Sequence, residues 1–175
     1  TWGEYRLYFG VRTQSVRVIG GSILSCFPGL RSDLARTLPA LSCCEMAARL
    51  MPDRSPSPGK YRLLCTALSV LDDGLCPWVE AAYGLKFLEA AGYGLRELPV
   101  PPAERELWRE LHDRPLEGLS GLPERPRTAE RFLQIVYDHV EAHAERALRC
   151  RAVAQSLRTF ALRLGPRLRA LSAVS

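Results

Sequence analysis

The sequence predicts a mainly α fold of about six to seven helices that follows a short N-terminal β-hairpin. Three observations support this fold class. Residues 1–26 are rich in β-branched and aromatic side chains, the remainder carries apolar residues at spacings of three and four, and glycines and prolines separate the segments. With 175 residues, of which 47% are hydrophobic and 25% charged, the chain is long enough to bury one core of ordinary size.

Two runs near the N-terminus predict the hairpin. The stretches "YRLYFG" and "SVRVIGGSIL" are separated by "VRTQ", and their content of β-branched and aromatic residues is typical of strands. Because two strands alone are only marginally stable, we expect the hairpin to pack on a further sheet or on a helix. Helical sequence then runs from Phe27 to Pro52, and Pro39 is predicted to separate a first helix from a second.

The next two helices are predicted together with their ends. One begins with Ser57 as its cap and Pro58 in its first turn, and it ends at Gly74. Its apolar face consists of Tyr61, Leu64, Cys65, Leu68 and Leu71. The other ends at Gly92, which we expect in the left-handed conformation, with Tyr93 folded back on the last turn. Its apolar residues are Trp78, Ala82, Leu85 and Leu88.

The C-terminal half is predicted to contain a short helix, a loop and two further helices. The amphipathic helix is "AERELWRELHD", and the loop is "RPLEGLSGLPERPR". Thr128 is placed to cap a long helix that runs through Ala147. The last helix, "RAVAQSLRTFALRL", is expected to end the fold at Gly165 and Pro166.

Signatures of catalysis and of metal binding are weak. His139 and His143 stand four residues apart, a spacing that can present two imidazoles to a metal, but no third ligand accompanies them. The sequence has no G-x-S-x-G motif and no glycine-rich phosphate loop. We interpret Trp78, Tyr83 and Phe87 as core residues rather than as a base-stacking platform. The expectation is a protein that is not an enzyme and that needs no cofactor and no metal.

The cysteines and the apolar runs bear on the compartment. The six cysteines occur without C-x-x-C spacing, which argues against a zinc knuckle, and most lie in apolar helical patterns typical of free thiols. No apolar run approaches the roughly 18 residues of a membrane span, and the N-terminus lacks the apolar segment of a signal peptide. We therefore expect a protein of the reducing cytoplasm without membrane association.

The charge of the chain is unevenly distributed. The formal net charge of +5 is carried by 22 arginines and two lysines, with a net −6 over residues 72–124 and a net +6 over residues 142–175. Clustered arginine suits bidentate pairing with phosphate or carboxylate, which predicts a phosphate backbone or an acidic peptide as a partner. On charge alone, the alternative that these arginines form only a solvated helix face stays open.

Four segments carry a resemblance through their order and spacing. They are "SILSCFPGLRSDLARTLPALSCCEMAARLMP", "YRLLCTALSVLDDG", "AAYGLKFLEAAGYGLRE" and "HAERALRCR". The first resembles the segment that joins the oligonucleotide-binding (OB) barrel to the helical domain in RecO, the bacterial DNA repair and recombination mediator, and the next two resemble the helices that follow. The fourth is similar to the family's His-x-Gly-x-x-Leu-Lys-Ser-Arg pattern through His143, Leu148, Arg149, Cys150 and Arg151. The resemblance covers Tyr5 to about Phe160.

The resemblance implies a division of the chain into three parts. Residues 1–26 correspond to the last strands of the OB barrel, residues 27–166 to the helical domain and residues 167–175 to a C-terminal tail. Many RecO proteins carry four cysteines, which form a zinc knuckle, just after the glycine-tyrosine helix end. Here no cysteine lies between Pro77 and Arg149. We therefore expect a prolyl turn and the acidic helix around Trp108 to take the place of the zinc site.

The resemblance also implies a function. A RecO-like mediator binds and anneals single-stranded DNA, cooperates with RecR, helps to load RecA, docks on the acidic and apolar C-terminal tail of single-strand binding protein (SSB), and is associated with the nucleoid. The residues assigned to nucleic-acid binding are Arg12, Arg17, Arg146, Arg149 and Arg151.

Competing interpretations stay open at this point. The main alternative to a DNA contact is that Arg149 and Arg151 form ion pairs with Asp138, Glu141 or Glu145. At the level of function, the alternatives are a helical protein-interaction module without DNA affinity and, more remotely, a metal-dependent hydrolase.

Overall fold

A computed structural model describes residues 2–12, 15–52, 55–95 and 100–157. Strands β1 (Gly3–Arg12) and β2 (Ser15–Cys26) form an antiparallel hairpin that precedes a set of packed helices, which confirms the predicted mainly α fold. The strands are longer than predicted and two residues connect them, because residues 11 and 12 still pair with residues 16 and 15. In the part of the chain that the structure describes, every helix is too short or too polar to cross a bilayer.

The hairpin leaves much of its apolar surface in solvent. Phe9 is 55% exposed, Ile19 68% and Ile23 59%. Within the described ranges the sheet has only two strands, so no further strand covers these side chains. A further sheet, one of the two partners expected for the hairpin, is therefore not found among the described residues, whereas Trp2 beside β1 packs against the helical core.

The short helix α1 (Gly29–Ser32) rests on the end of α3 (Pro58–Asp73). The Leu30 amide donates to Asp72 Oδ1 at 2.8 Å, and the Leu30 side chain is buried. A Cβ on Gly29 would lie 2.3 Å from the carbonyl oxygen of Asp72. Glycine is required here because two backbones approach so closely, which gives the "FPGL" stretch a physical reason.

Helix α2 (Leu34–Leu50) continues through Pro39, so the predicted break at this proline is wrong. The break lies at Asp33, whose side chain caps α2 by accepting from the Ala35 amide at 2.8 Å. Pro39 removes one backbone hydrogen bond near the start of the helix, and the buried face beyond it outweighs that loss. The buried residues of α2 are Ala40, Ser42, Cys43, Met46, Ala47 and Leu50.

Helix α3 begins at Pro58 and ends before Gly74, as predicted. Ser57 occupies the cap position, but its side chain makes no capping hydrogen bond within the described residues. Tyr61 was predicted for the apolar face, yet it is 48% exposed, and its hydroxyl donates to Glu4 of β1 at 2.8 Å. The fully buried face is therefore narrower than predicted and consists of Ala67, Leu68 and Leu71.

Helix α4 (Val79–Ala90) lies at the centre of the helices. It packs against α2, α3, α5 (Arg105–Asp113) and α6 (Pro126–Ala144). Trp78, Tyr83 and Phe87 are all buried, which confirms their interpretation as core. A helix that is apolar on nearly every side is typical of a fully enclosed position.

The end of α4 forms the predicted left-handed turn. Gly92 has a φ of +88°, its amide donates to the Glu89 carbonyl at 2.9 Å, and the Tyr93 amide donates to the Leu88 carbonyl at 2.8 Å. Glycine adopts this φ without the strain that a Cβ would bring. The Tyr93 ring packs on His143 of α6, with the ring centroids 4.3 Å apart.

Helix α5 and the segment after it close one side of the core. Trp108 of α5 is buried, and its ring meets Phe132 of α6 edge-on with the centroids 4.8 Å apart. The stretch predicted as a loop contains a 3-10 helix, Leu116–Gly121. This segment is not a plain surface loop, because three of its leucines are buried: Leu116, Leu119 and Leu122.

Helix α6 begins and ends earlier than predicted. It starts at Pro126, since a proline in the first turn costs no hydrogen bond, so Thr128 lies inside the helix instead of capping it. It ends at Ala144, before the predicted Ala147, because Glu145 adopts a left-handed φ of 52°. Residues 149–157 are helical again. The predicted end of the fold at Gly165 and Pro166 and the tail 167–175 lie outside the described residues.

A buried polar network joins α2, α4 and α6. The Tyr137 hydroxyl donates to Glu80 and lies 2.9 Å from the Ser42 hydroxyl. Burial and the neighbouring charge of Glu80 raise the pKa of Tyr137. The Tyr83 hydroxyl is also buried, but it has no hydrogen-bond partner among the described residues. Two buried tyrosines of this core therefore differ in what their hydroxyls contribute.

Replacing each tyrosine by phenylalanine is expected to separate the two roles. Tyr137→Phe should lower the free energy of unfolding by roughly 0.5–1.5 kcal/mol, because Ser42 and Glu80 lose a buried partner. Tyr83→Phe should leave stability unchanged or increase it, because a buried hydroxyl without a partner is removed. Urea denaturation of both variants measures the difference, and equal losses would contradict the network.

Candidate functional site

Three of the five arginines assigned to nucleic acid lie in the segment after α6, residues 145–157. Arg146 and Arg149 are exposed, and neither forms an ion pair with another described residue. Their guanidinium groups are therefore available to an external anion. Arg158 and Arg163 belong to the same basic region, residues 142–175, and lie outside the described residues.

Arg151 is engaged within the protein. One guanidinium nitrogen, Nη1, lies 2.7 Å from Asp138 and 2.7 Å from Glu141, both on α6. Its guanidinium carbon stands 5.9 Å from the centre of the Tyr137 ring. Partial burial works to lower the pKa of Arg151, but the two carboxylates outweigh it and raise the pKa. The ion pairing that competed with a DNA role is thus present for Arg151 and, in the described chain, not for Arg149.

Two carboxylates fix the segment to the helices. Glu45 of α2 accepts from the backbone amides of Arg149 at 3.0 Å and Cys150 at 2.9 Å, and Glu141 accepts from the Leu148 amide at 2.7 Å. Burial works to raise the pKa of Glu45, but the hydrogen bonds from Cys150 and Arg149 lower it overall. These bonds cap the helical residues 149–157 and hold the exposed arginines in a defined place.

The two remaining arginines belong to the hairpin. Arg17 lies on β2 and is exposed. Arg12 is the last residue of β1, and its side chain lies outside the description. The structure therefore places the five assigned arginines in two separate parts of the chain, the hairpin and the segment after α6.

A groove of about 750 Å³ opens between α4 and α5. Its apolar lining is Leu85, Leu95, Val100 and Trp108. Two exposed arginines, Arg105 and Arg109, line it from α5, and among the described residues neither forms an ion pair. An apolar floor beside unpaired cations can bind a peptide that carries both apolar and acidic side chains.

His112 connects the two helices at the edge of this groove. Its Nδ1 lies 2.8 Å from Asp113 Oδ1, and its Nε2 contacts a carboxylate oxygen of Glu89 on α4. The Lys86 amino group donates to the His112 carbonyl as a second link between α4 and α5. The hydrogen bond to Asp113 raises the pKa of His112, burial opposes it, and the bond to Glu89 raises it further.

Known proteins match the helices that carry one wall of this groove. Residues 31–97 match the family model described as recombination protein O C terminal. The DNA repair protein RecO of Geobacter metallireducens is 36% identical over 75 residues, which are 42% of this chain and 31% of that protein. These helices are similar to the C-terminal part of RecO. The matched part spans about a third of that RecO protein. No solved structure matches the chain.

The RecO match confirms the resemblance over residues 31–97, and part of the site lies outside that range. Leu85, Glu89 and Leu95 lie within the matched range, whereas Arg105 and Arg109 on the opposite wall lie beyond it. Arg146, Arg149 and Arg151 also lie beyond it. The exposed arginines of both surfaces therefore lie outside the range that matches the RecO model.

The groove was not predicted, although the sequence of α5 carries a signal for it. The composition of α5 predicts an acidic helix, but Arg105, Arg109 and His112 recur at spacings of four and three, which places them on one face of a helix. Trp108 stands between them and supplies the apolar floor. The net charge of the segment does not show this basic face, because the acidic residues of α5 offset its arginines.

The imidazole rings of His139 and His143 pack against each other. Their ring centroids are 4.4 Å apart, and the two rings contact the backbone carbonyls of Tyr93 and His139. Over the residues that the structure describes, no group of three or more potential ligands is close enough to hold a metal ion.

Proposed function

We propose that this chain is part of a DNA repair and recombination mediator that binds and anneals single-stranded DNA and helps to load RecA together with RecR. The observation that carries the proposal is the RecO match over residues 31–97. The exposed Arg146, Arg149 and Arg17 support a contact with phosphates. The role needs no catalytic residue, and we place it at the nucleoid in the cytoplasm.

The proposed DNA contact follows the phosphates rather than the bases. Arg146 and Arg149 lie three residues apart and are exposed, and no aromatic side chain of the segment 145–157 accompanies them. Aromatic stacking is what usually accompanies base contacts on single strands. We therefore expect binding with little sequence preference and a strong dependence on salt.

A salt titration of single-strand binding tests this role. In the whole chain, Arg146→Ala combined with Arg149→Ala should flatten the slope of log K against log salt by roughly 1.4, about 0.7 for each lost phosphate contact. Arg151→Ala should lower the melting temperature and keep the slope, since its partners are Asp138 and Glu141. Fluorescence anisotropy with an oligothymidylate at several salt concentrations measures both.

A matched variant controls for net charge. Arg105→Ala with Arg109→Ala removes the same number of charges from the groove and should leave the salt slope unchanged. An unchanged slope in the Arg146 and Arg149 variant, with DNA still bound, would contradict the proposed contact.

We also propose that the groove between α4 and α5 receives the C-terminal tail of SSB. The tail implied by the family resemblance is acidic and apolar, which complements Arg105 and Arg109 beside Trp108. Arginine pairs with carboxylates in a bidentate way, and the aromatic floor offers an apolar surface to a phenylalanine. RecR and RecA remain partners that rest on family membership.

A second candidate function is a helical protein-interaction module without DNA affinity. The observation that favours it is the engagement of Arg151, which removes one of the assigned cations from solvent. The absence of measurable single-strand binding at about 50 mM salt, where phosphate contacts are strongest, would decide for this alternative.

A further inference from the structure

We propose that His112, as an imidazolium held between Glu89 and Asp113, makes the groove between α4 and α5 selective for acidic peptides in a pH-dependent way. The inference rests on the proposed function of the groove as a peptide site and adds the residue that controls it. It is carried by the arrangement of the side chains around the His112 ring.

The surroundings of the His112 ring determine how many protons it carries. Both ring nitrogens of His112 face carboxylate oxygens, one from Asp113 and one from Glu89. An ionised carboxylate only accepts hydrogen bonds, so both nitrogens need a proton, and only the imidazolium carries two. A neutral imidazole donates from one nitrogen and leaves the other carboxylate facing a lone pair. The geometry therefore belongs to the charged form of His112.

The net charge of the groove depends on the protonation of His112. Among the described residues that line the groove, three cations face two carboxylates when His112 is charged: Arg105, Arg109 and His112 against Glu89 and Asp113. When His112 is neutral, the positive and negative charges of this set balance. Lys86 of α4 is a further charged group at this corner, and its amino group donates to the His112 carbonyl. Loss of the proton thus removes the excess positive charge that attracts an acidic peptide.

His112 also links the two walls of the groove. Glu89 belongs to α4 and His112 to α5, so the charged hydrogen bond between them ties one wall to the other. The same proton that supplies the charge also holds the walls at their separation. His112 is a positioning residue in this scheme, because it acts through the carboxylates and the groove rather than through the chemistry of the peptide.

The test uses a fluorescent peptide with several aspartates before a C-terminal phenylalanine, titrated against the whole chain. Affinity should fall by roughly fivefold or more between about pH 6 and about pH 8.5, the usual size of a coupling between two sites. His112→Gln should bind weakly at both pH values. His112→Arg keeps the positive charge and should bind at both as the unmodified protein does at low pH.

Controls separate His112 from the other titrating groups. The chain has three histidines, so His143→Gln, on α6 and outside the lining of the groove, should keep the full pH profile. The ¹⁵N shifts of the His112 ring report its state without any peptide, and two protonated nitrogens are expected at pH 7. A single protonated nitrogen at that pH would overturn the inference.

The outcomes distinguish this inference from the function on which it rests. Peptide binding that is equal at both pH values, with the arginines still required, would overturn the role of His112 and leave the peptide site standing. The absence of peptide binding at either pH would overturn both.

Discussion

Replacing Leu88 by alanine is expected to lower the free energy of unfolding by roughly 2–5 kcal/mol, the largest single effect expected in this protein. Leu88 is fully buried on α4, the helix that packs against four others. Removing its side chain leaves a cavity that well-packed neighbours fill only in part. Leu68→Ala on α3 should fall at the lower end of the same range, because Leu68 retains 8% exposure.

Denaturation in urea measures both changes, and an exposed leucine supplies the control. Leu75 lies in the connection between α3 and α4 with most of its side chain in solvent, so Leu75→Ala should change stability by no more than about 0.5 kcal/mol. If Leu88→Ala and Leu75→Ala unfold at the same urea concentration, α4 does not occupy the centre of the core.

The second large effect is expected where α4 crosses α6. A Cβ on Gly84 would lie 2.3 Å from Val136 Cγ1 and 3.2 Å from Met46 Sδ. Gly84→Ala should therefore cost about 1–3 kcal/mol from overpacking, because Val136 is buried and its branched side chain has one favoured rotamer in a helix. The better helix propensity of alanine offsets up to about 1 kcal/mol of this.

A second glycine gives the opposite expectation. Gly59 lies in the first turn of α3, and a Cβ there meets no atom within 4 Å. Gly59→Ala should stabilise the protein by up to about 1 kcal/mol through helix propensity alone.

A double substitution tests the approach of Gly84 to Val136. Adding Val136→Ala to Gly84→Ala should recover part of the stability that Gly84→Ala loses, and simple additivity of the two substitutions would contradict the contact between these residues.

The ends of several helices could be predicted because they depend on neighbouring residues. Pro58 starts α3, Gly74 ends it, and Gly92 ends α4 with a left-handed φ. Each effect comes from the conformational limits of one residue. Pro39 shows the limit of this reasoning, since its local preference for a break is overridden by the buried face of α2.

The partners of charged and polar side chains could not be predicted in the same way. Glu45 accepts from the amide of Cys150, 105 residues away in sequence, and Tyr61 bonds to Glu4 on the hairpin. Such pairs form because elements distant in sequence pack side by side. The composition of the segment after α6 showed a basic cluster, but only the packing showed that Arg151 is paired while Arg149 is exposed.

The sequence by itself determined that the chain has a β-hairpin and a helical core, that its aromatic stripe is buried, and that its helices resemble RecO. These features follow from local propensity and from periodicity, which are written in consecutive residues. The groove and the state of each arginine were decided only by the tertiary structure. They depend on which faces of α4, α5 and α6 meet, and a side chain becomes a site only through the neighbours that packing brings to it.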